Sequence, residues 1–264
     1  MAGAKAEIGI IGGTGVYSED MLEGANKLEI RTPYGKPSSR IVLGNYRGKR
    51  IAFLFRHGER HSIPPHMVNS RANVYALKSL GVERIIGIAA VGSLNGKMGP
   101  GDIVIPDQFI DMTKMRSTTF YDGPKAIHVS LADPFCGEMR KAASATIKSL
   151  RLRCHKDGTY VCVEGPRFST RAESRLWQLM KADIVGMTLV PEVVLAREKE
   201  MCYLTIATVT DYDCWKEGTV SAEDVTSMMR KSTESVKRIL GELVLKFPET
   251  RTCTCKSALQ GAEI

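Results

Sequence analysis

The sequence lacks the features that mark a secreted, membrane-bound or repetitive protein. Its 264 residues include no secretion signal, no uninterrupted apolar run long enough to cross a bilayer, and no internal repeat or low-complexity tract. A chain of this length can bury a sizeable core as a single domain. We therefore expect one domain over residues 1–264 of a cytoplasmic protein, with residues 248–264 as a short, loosely packed tail.

The few histidines form no recognised metal-binding pattern. His57, His61 and His66 are close in sequence, but their spacing is neither HExxH nor HxxEH. Arg56 and Arg60 stand next to two of these histidines, and their charge disfavours a dication. The sequence therefore predicts no metal site, and we interpret His61 and His66 as loop and helix-entry residues.

Basic residues are in excess, but they form no stripe interleaved with aromatic side chains. The net charge is +8, and in segments such as 148–156 and 231–238 the basic residues are spread along the chain. Nucleic-acid binding proteins concentrate such charge on one face. We interpret these segments as solvated helix faces, expect no nucleic-acid partner, and expect the positive field to favour entry of anionic substrates.

A dinucleotide-binding enzyme is also disfavoured. Residues 9–15 are rich in glycine, and Tyr121 and Lys125 have the spacing of a Tyr-x-x-x-Lys catalytic pair. That pair requires a helix to place both side chains on one face. The intervening Asp-Gly-Pro breaks helices, so the pattern does not support a dehydrogenase or epimerase.

Strand patterns alternate with helix patterns along the chain, which predicts an α/β fold with a central sheet. The last helix opens with Ser221-Ala-Glu-Asp224, close to a capping box. The predicted strands include residues 7–11, 51–55, 84–90 and 203–209, and the predicted helices are residues 66–80, 134–150, 170–181, 191–200 and 221–247.

Three successive strands end in loops suited to an anion. The first runs into the glycine-rich residues 12–15, the second into Arg56 and His57, and the third into residues 91–93. Glycines let backbone N–H groups approach an anion closely, and Arg forms a bidentate fork to phosphate oxygens, to which His can add a donor. A fourth strand delivers Asp211 and Asp213 in the segment TDYDCW. Because ligands of open α/β sheets bind beyond the carboxyl ends of strands, an Asp there can serve as a proton donor.

With these segments together, the chain resembles the trimeric nucleoside phosphorylase family, within it the branch that acts on 5'-methylthioadenosine. The resemblance covers residues 8 to about 240. It implies a central mixed sheet flanked by helices, and a trimer or dimer of trimers. The segments on which the resemblance rests are GGTG at 12–15, RHG at 56–58, GSL at 92–94, PGDIVIPDQFID from Pro100, FYDG from Phe120, EGPRFSTRAES from Glu164, MTLVPEVVLA from Met187 and TDYDCWKE from Thr210.

The resemblance implies two groups of binding residues, one for inorganic phosphate and one for the nucleoside. Family members often have a hydroxyl residue at the position of Ala89, so one phosphate contact is expected to be missing or to come from the main chain. The phosphate group comprises Thr14, Arg56, His57, the backbone around Ala90, and Thr188. The nucleoside group comprises Phe168 and Met187 against base and ribose, Ser169, Asp211 and Asp213 on the purine edge, Val220, Ala222, Val225 and Thr226 at the 5' end, and His128 reaching into a neighbouring subunit.

The residues expected on the purine edge favour a 6-aminopurine. A hydroxyl at Ser169 and a carboxyl group at Asp211 suit the N1 lone pair and the C6 amino group of adenine. The resemblance and these residues thus imply phosphorolysis of 5'-methylthioadenosine, and of adenosine as well, with Asp211 protonating the leaving purine at N7 and no metal or organic cofactor. The alternatives are a broad-specificity purine nucleoside phosphorylase, a nucleoside hydrolase and a non-catalytic anion-binding module.

Seven cysteines in a chain of this kind are ordinarily free thiols. By resemblance to archaeal family members, Cys136 and Cys202 form one expected bridge, and Cys253 and Cys255 a second. The alternative is that all seven are reduced, as we expect for Cys154, Cys162 and Cys214.

Overall fold

The computed structural model describes residues 5–13, 15–16, 22–216 and 219–264. Within these residues, strands and helices alternate as the sequence predicts. The strands are β1 Ile8–Gly12, β2 Glu23–Leu28, β3 Ile41–Tyr46, β4 Lys49–Phe55, β5 Arg84–Ser93, β6 Ile103–Val104, β7 Gln108–Met112, β8 Cys154–His155, β9 Thr159–Val163, β10 Ile184–Gly186 and β11 Cys202–Asp211. The helices are α1 Ser70–Ser79, α2 Gly137–Ser149, α3 Arg171–Leu179, α4 Leu189–Glu198 and α5 Ala222–Leu243, with short 3₁₀ turns at Pro65–Met67, Val244–Lys246 and Thr254–Ser257.

The strands form one mixed sheet, which confirms the expected fold class. Its main path runs β2-β3-β4-β1-β5-β10-β9-β7, and β11 joins it by pairing with β5. The central strands β4, β1, β5 and β11 are mutually parallel, so their carboxyl ends lie at one edge. β10 pairs antiparallel with β5 at Gly92 and Ser93. The end of β5 therefore lies between β10 and β11.

Helices cover both faces of the sheet. On one face, α1 and α4 pack against side chains such as Leu54, Ile85 and Tyr203. On the other, α2 and α5 pack against alternate residues of the same strands, such as Phe53 and Ile86. The central strands are buried on both sides, which explains why they are apolar runs without polar alternation.

Helix α1 begins later than predicted, whereas α5 begins as predicted. The residues predicted to open α1 form a 3₁₀ turn instead, and Asn69 caps the helix by accepting a hydrogen bond from the N–H of Ala72 at 3.1 Å. Pro64 and Pro65 stand at the start of this 3₁₀ turn. A proline disfavours the α-helical conformation of the residue before it. At α5 the predicted cap is confirmed, because the Ser221 hydroxyl accepts from the N–H of Asp224 at 3.0 Å.

The C-terminal segment packs more firmly than expected. Cys255 is only 4% exposed, and the guanidinium of Arg251 donates to the Glu200 carbonyl at 2.7 Å. Further along, the carbonyl of Ala262 accepts a hydrogen bond from the N–H of His128 at 2.8 Å. These contacts anchor parts of the segment, and because their partners are distant in sequence they leave no local pattern. Among the described helices, none has the length and apolar character needed to cross a membrane.

Candidate active site

A cavity of about 770 Å³ lies at the carboxyl ends of the central strands, between the sheet and α5. It brings together the glycine turn after β1, the loop after β4, and the ends of β5 and β11. The segment after β10 and one face of α5 complete it. Strand ends that are far apart in sequence thus share one concave site, as the sequence analysis expected from the parallel order.

Most of the predicted site residues line this cavity. Thr14 lies outside the described residues, so its position stays a prediction. His128 and Val220 do not line this chain's cavity, and the exposed Ala222 is also outside it. The residues that the structure does bring together are Arg56, His57, Ala90, Phe168, Ser169, Met187, Thr188, Asp211, Asp213, Val225 and Thr226.

Arg56 is held in a buried hydrogen-bond network at the floor of the cavity. Its Nε and Nη2 donate to the two carboxylate oxygens of Glu192 at 2.6 and 2.9 Å, and Nη1 donates to the Ile88 carbonyl at 2.6 Å. Nη2 also approaches the Ile11 carbonyl at 3.4 Å. Of the five N–H donors of a guanidinium, one on Nη1 is left for a ligand.

The charge of Arg56 is stabilised by its partner. Burial alone disfavours a charged guanidinium, but the carboxylate of Glu192 outweighs this and holds the pKa of Arg56 above its ordinary value. Glu192 is fully buried and accepts a further hydrogen bond from the Tyr203 hydroxyl at 2.7 Å. The sequence analysis missed both Glu192 and Tyr203. A single carboxylate within the apolar run of α4 was the available signal, because such a group must find a cation when buried.

His57 is a neutral ring in this site. Its Nδ1 lies 2.9 Å from the Ile63 carbonyl, which can only accept, so Nδ1 carries the proton. Burial, and then the neighbouring charge of Arg56, lower the pKa of His57 to about 4. At neutral pH its Nε2 therefore presents a lone pair to the cavity. The ring can accept a hydrogen bond from a ligand O–H, instead of adding the second donor that the sequence suggested.

Asp211 and Asp213 form a coupled pair at the end of β11. The two oxygens of Asp211 accept hydrogen bonds, one from the backbone N–H of Asp213 at 2.7 Å and one from the Thr210 hydroxyl at 2.8 Å. Asp213 is only 8% exposed, and its Oδ2 has no hydrogen-bond partner. Burial raises the pKa of Asp213, and the charge of Asp211 adds to the effect. Both carboxyl groups line the cavity, so both can contact a ligand there.

Met187 is fixed at the cavity wall by its backbone and by a glycine. Its carbonyl accepts a hydrogen bond from Nη1 of Arg116 at 2.8 Å. Gly165 adopts φ +69°, and a Cβ at this position would lie 2.6 Å from the Met187 sulfur. Only glycine combines that backbone conformation with so close an approach. The sequence analysis did not identify Arg116 or Gly165 as supports of the site.

Helix α5 contributes more of the cavity than the sequence analysis expected. Beyond Val225 and Thr226, the next turns of the helix also face inward. The Thr226 hydroxyl donates to the Ala222 carbonyl at 2.7 Å, which leaves its lone pairs for a ligand. Helical spacing from Val225 was a signal that could have found the others. These additional residues are Met229, Arg230, Ser232, Thr233 and Val236.

Comparison with known proteins agrees with this arrangement. The family model described as "Phosphorylase superfamily" matches residues 7–245. The S-methyl-5'-thioadenosine phosphorylase of Thermofilum pendens is 58% identical over 98% of this chain and 99% of its own. A solved methylthioadenosine phosphorylase from an antarctic soil metagenomic library has a TM-score of 0.94 at 44% identity, covering 99% of this chain and 93% of its own. The Schistosoma mansoni methylthioadenosine phosphorylase in complex with adenine has a TM-score of 0.92 at 37% identity, covering 98% and 99%.

The family match extends over all the strands that form the cavity and over α5. High identity to named relatives holds over nearly the full length of both chains, so it does not come from a single shared motif. The chain belongs to the phosphorylase superfamily.

Proposed function

We propose that this protein catalyses the phosphorolysis of 5'-methylthioadenosine to adenine and 5-methylthioribose 1-phosphate, a reaction of purine and methionine salvage. The observation that carries the proposal is that one cavity holds an anion-binding floor at Arg56 and His57 and a carboxyl pair at Asp211 and Asp213. Phosphorolysis requires both, because a phosphate attacks one side of the sugar while a purine leaves on the other. The names and high identity of the relatives support the same reaction.

The phosphate end of the cavity suits a protonated phosphate. The free Nη1 hydrogen of Arg56 and the hydroxyl of Thr188 can donate to phosphate oxygens, together with backbone N–H groups around Ala90. The lone pair of His57 can accept the O–H of hydrogen phosphate, which the guanidinium of Arg56 cannot do. In this proposal Thr14 adds a further hydroxyl. The protein thereby orients the nucleophile without metal or organic cofactor.

Departure of the purine is assisted at the opposite end. As the glycosidic bond breaks, negative charge accumulates on the purine, and a proton delivered toward N7 stabilises it. We propose that Asp211 delivers this proton, with its carboxyl group held in place by the backbone N–H of Asp213 and the Thr210 hydroxyl. Phe168 covers the base, Met187 lies under the ribose, and Ser169 completes the edge that selects adenine.

Turnover should depend on phosphate and on Asp211. We expect no appreciable adenine release from methylthioadenosine in phosphate-free buffer. In phosphate, Asp211→Ala should lower kcat by roughly 10²–10⁴, the usual scale for losing a general acid. Adenine release followed by absorbance or chromatography measures both. The exposed Asp133→Ala is a matched control that should keep wild-type kcat.

Two results would contradict this assignment. Equal rates with and without phosphate would identify a hydrolase. A wild-type kcat in Asp211→Ala would show that Asp211 takes no part in proton transfer.

The 5' end of the cavity should admit adenosine as well as methylthioadenosine. Val225 and Met229 give it apolar surface, but Thr226 is smaller and more polar than an aliphatic residue, and its oxygen can accept from a 5'-hydroxyl. We expect kcat/KM for methylthioadenosine to exceed that for adenosine by at most about one to two orders of magnitude. Inosine and guanosine should be poorer than adenosine because they lack the 6-amino group.

The kcat/KM values of the four nucleosides decide between these substrate classes. A higher kcat/KM for inosine than for adenosine would support the broad-specificity alternative. No cleavage of adenosine would refute the expectation that the 5' end of the cavity admits a 5'-hydroxyl. Thr226→Leu provides the matched variant, since extra apolar contact should raise the preference for methylthioadenosine by roughly fourfold for each methylene that reaches the ligand.

We also propose that the protein is a homo-oligomer, a trimer or dimer of trimers, with His128 completing a neighbour's site. His128 is exposed and remote from its own chain's cavity, on a segment that pairs with the C-terminus. Large apolar side chains are also exposed, including Met115 at 87% and Leu179 at 80%, and such surface is commonly covered in an assembly.

A shared site should appear in mixed assemblies. Asp211→Ala and His128→Ala subunits that are each inactive alone should regain activity when they exchange, because some sites then receive both intact residues. Light scattering gives the oligomeric state, and tagged subunits verify the exchange. Verified exchange with no recovered activity, or a fully active His128→Ala enzyme, would refute the shared site.

A further inference from the structure

A buried tyrosine hydroxyl lies behind the phosphate end of the cavity. Tyr160 stands on β9, where it pairs in register with Ile184 of β10. Its side chain is fully buried and does not line the cavity. Among the described residues, none forms a hydrogen bond with its hydroxyl oxygen. Because a dry, unpaired hydroxyl is unfavourable, a fold that keeps one calls for an explanation.

The hydroxyl lies against the chain segment that leads into the phosphate end. A Cβ added to Gly186 would be only 2.0 Å from the hydroxyl oxygen, so only glycine leaves room for it there. Gly186 is followed by Met187 and Thr188, and all three residues line the cavity. A phenylalanine in place of Tyr160 would keep the ring without burying an unpaired oxygen. The pairing of tyrosine with glycine therefore indicates a use for the oxygen itself.

Thr188 is a polar residue that the Tyr160 hydroxyl faces. Burial raises the pKa of Tyr160, and the hydroxyl and backbone N–H of Thr188 act in the opposite direction because they point toward the phenolic oxygen. Thr188 occupies the N-cap position of α4, where a threonine side chain commonly caps the helix, yet its hydroxyl makes no capping bond. The Thr188 hydroxyl is therefore available to the cavity on one side and to Tyr160 on the other.

We propose that Tyr160 is a positioning residue for phosphate, acting through Thr188. With phosphate bound, the Tyr160 hydroxyl donates to the Thr188 oxygen, and the Thr188 hydroxyl directs its own proton at a phosphate oxygen. A hydroxyl has one proton and two lone pairs, so accepting from Tyr160 leaves the Thr188 proton for the ligand. Two hydrogen bonds in series polarise each other, which strengthens the bond to the anion. This inference rests on the proposed phosphate site at Arg56 and Thr188.

Tyr160→Phe removes the hydroxyl and keeps the ring. We expect the Kd of inorganic phosphate, measured by titration calorimetry, to rise about three- to tenfold, the effect of losing one hydrogen bond. The phosphate KM should rise by the same factor while the nucleoside KM changes little. The melting temperature should stay the same or rise, because the variant removes an unpaired oxygen from a dry site. Tyr75→Phe, on α1 and outside the cavity, is the matched control that should leave the phosphate Kd unchanged.

A double-mutant cycle shows whether the effect passes through Thr188. Thr188→Val keeps the shape of the side chain without its hydroxyl, and it should weaken phosphate binding by itself. In that background Tyr160→Phe should have no further effect, since the oxygen that Tyr160 contacts is gone.

An unchanged phosphate Kd in folded Tyr160→Phe, or an equal effect of Tyr160→Phe in both backgrounds, would overturn the proposal. So would a clear loss of thermal stability in Tyr160→Phe, because the hydroxyl would then have a partner in the fold. Phosphate binding is measured without turnover. A failure of the proposed reaction would therefore show in adenine release and would leave the comparison of Kd values decisive for Tyr160.

Discussion

The buried ion pair between Arg56 and Glu192 determines how the rest of the site is arranged. A fully buried carboxylate is costly unless its partner and hydrogen bonds are in place. Here the two bonds of the guanidinium fork, the Tyr203 hydroxyl and the carbonyls of Ile11 and Ile88 meet that requirement. The partners of Arg56 and Glu192 lie on β1, β5 and β11, so the pair forms only when these strands, the loop after β4 and α4 are in place.

The pair gives the cavity a fixed polarity. The positive end lies at the floor, beside a neutral histidine, and the carboxyl pair lies at the end of β11. A reaction in which phosphate attacks the sugar at one end and negative charge develops on the purine at the other needs different groups at the two positions. The sheet separates these two positions because their groups come from the ends of different strands, β4 and β11. In our account, positioning and electrostatics perform the reaction, and the protein supplies no covalent chemistry.

Much of this could be predicted from the sequence because the signals are local. The central strands are apolar runs, the helices are amphipathic, and Arg56, His57 and Asp211 follow strands directly, which fixes the edge of the sheet where they lie. The fold class and the location of most of the predicted site residues follow from these patterns and from the family resemblance.

The rest depends on contacts between distant residues. Glu192 is 136 residues from Arg56, so no spacing could reveal their bond. The lowered pKa of His57 depends on burial and on the charge of Arg56, and the raised pKa of Asp213 also depends on burial. Four cysteines from distant segments also meet in one cluster without any local spacing to indicate it, namely Cys136, Cys202, Cys253 and Cys255.

The central claim is that Glu192 holds Arg56 as the cation for phosphate, and the phosphate KM of Glu192→Gln tests it most directly. The variant leaves the buried guanidinium without its charge partner and turns an amide toward it. We predict a phosphate KM raised by roughly tenfold to a hundredfold with the nucleoside KM little changed, and a smaller rise in Tyr203→Phe, which removes one bond to the same carboxylate. A folded Glu192→Gln enzyme with wild-type phosphate KM, or an equal loss in both KM values, would contradict the account.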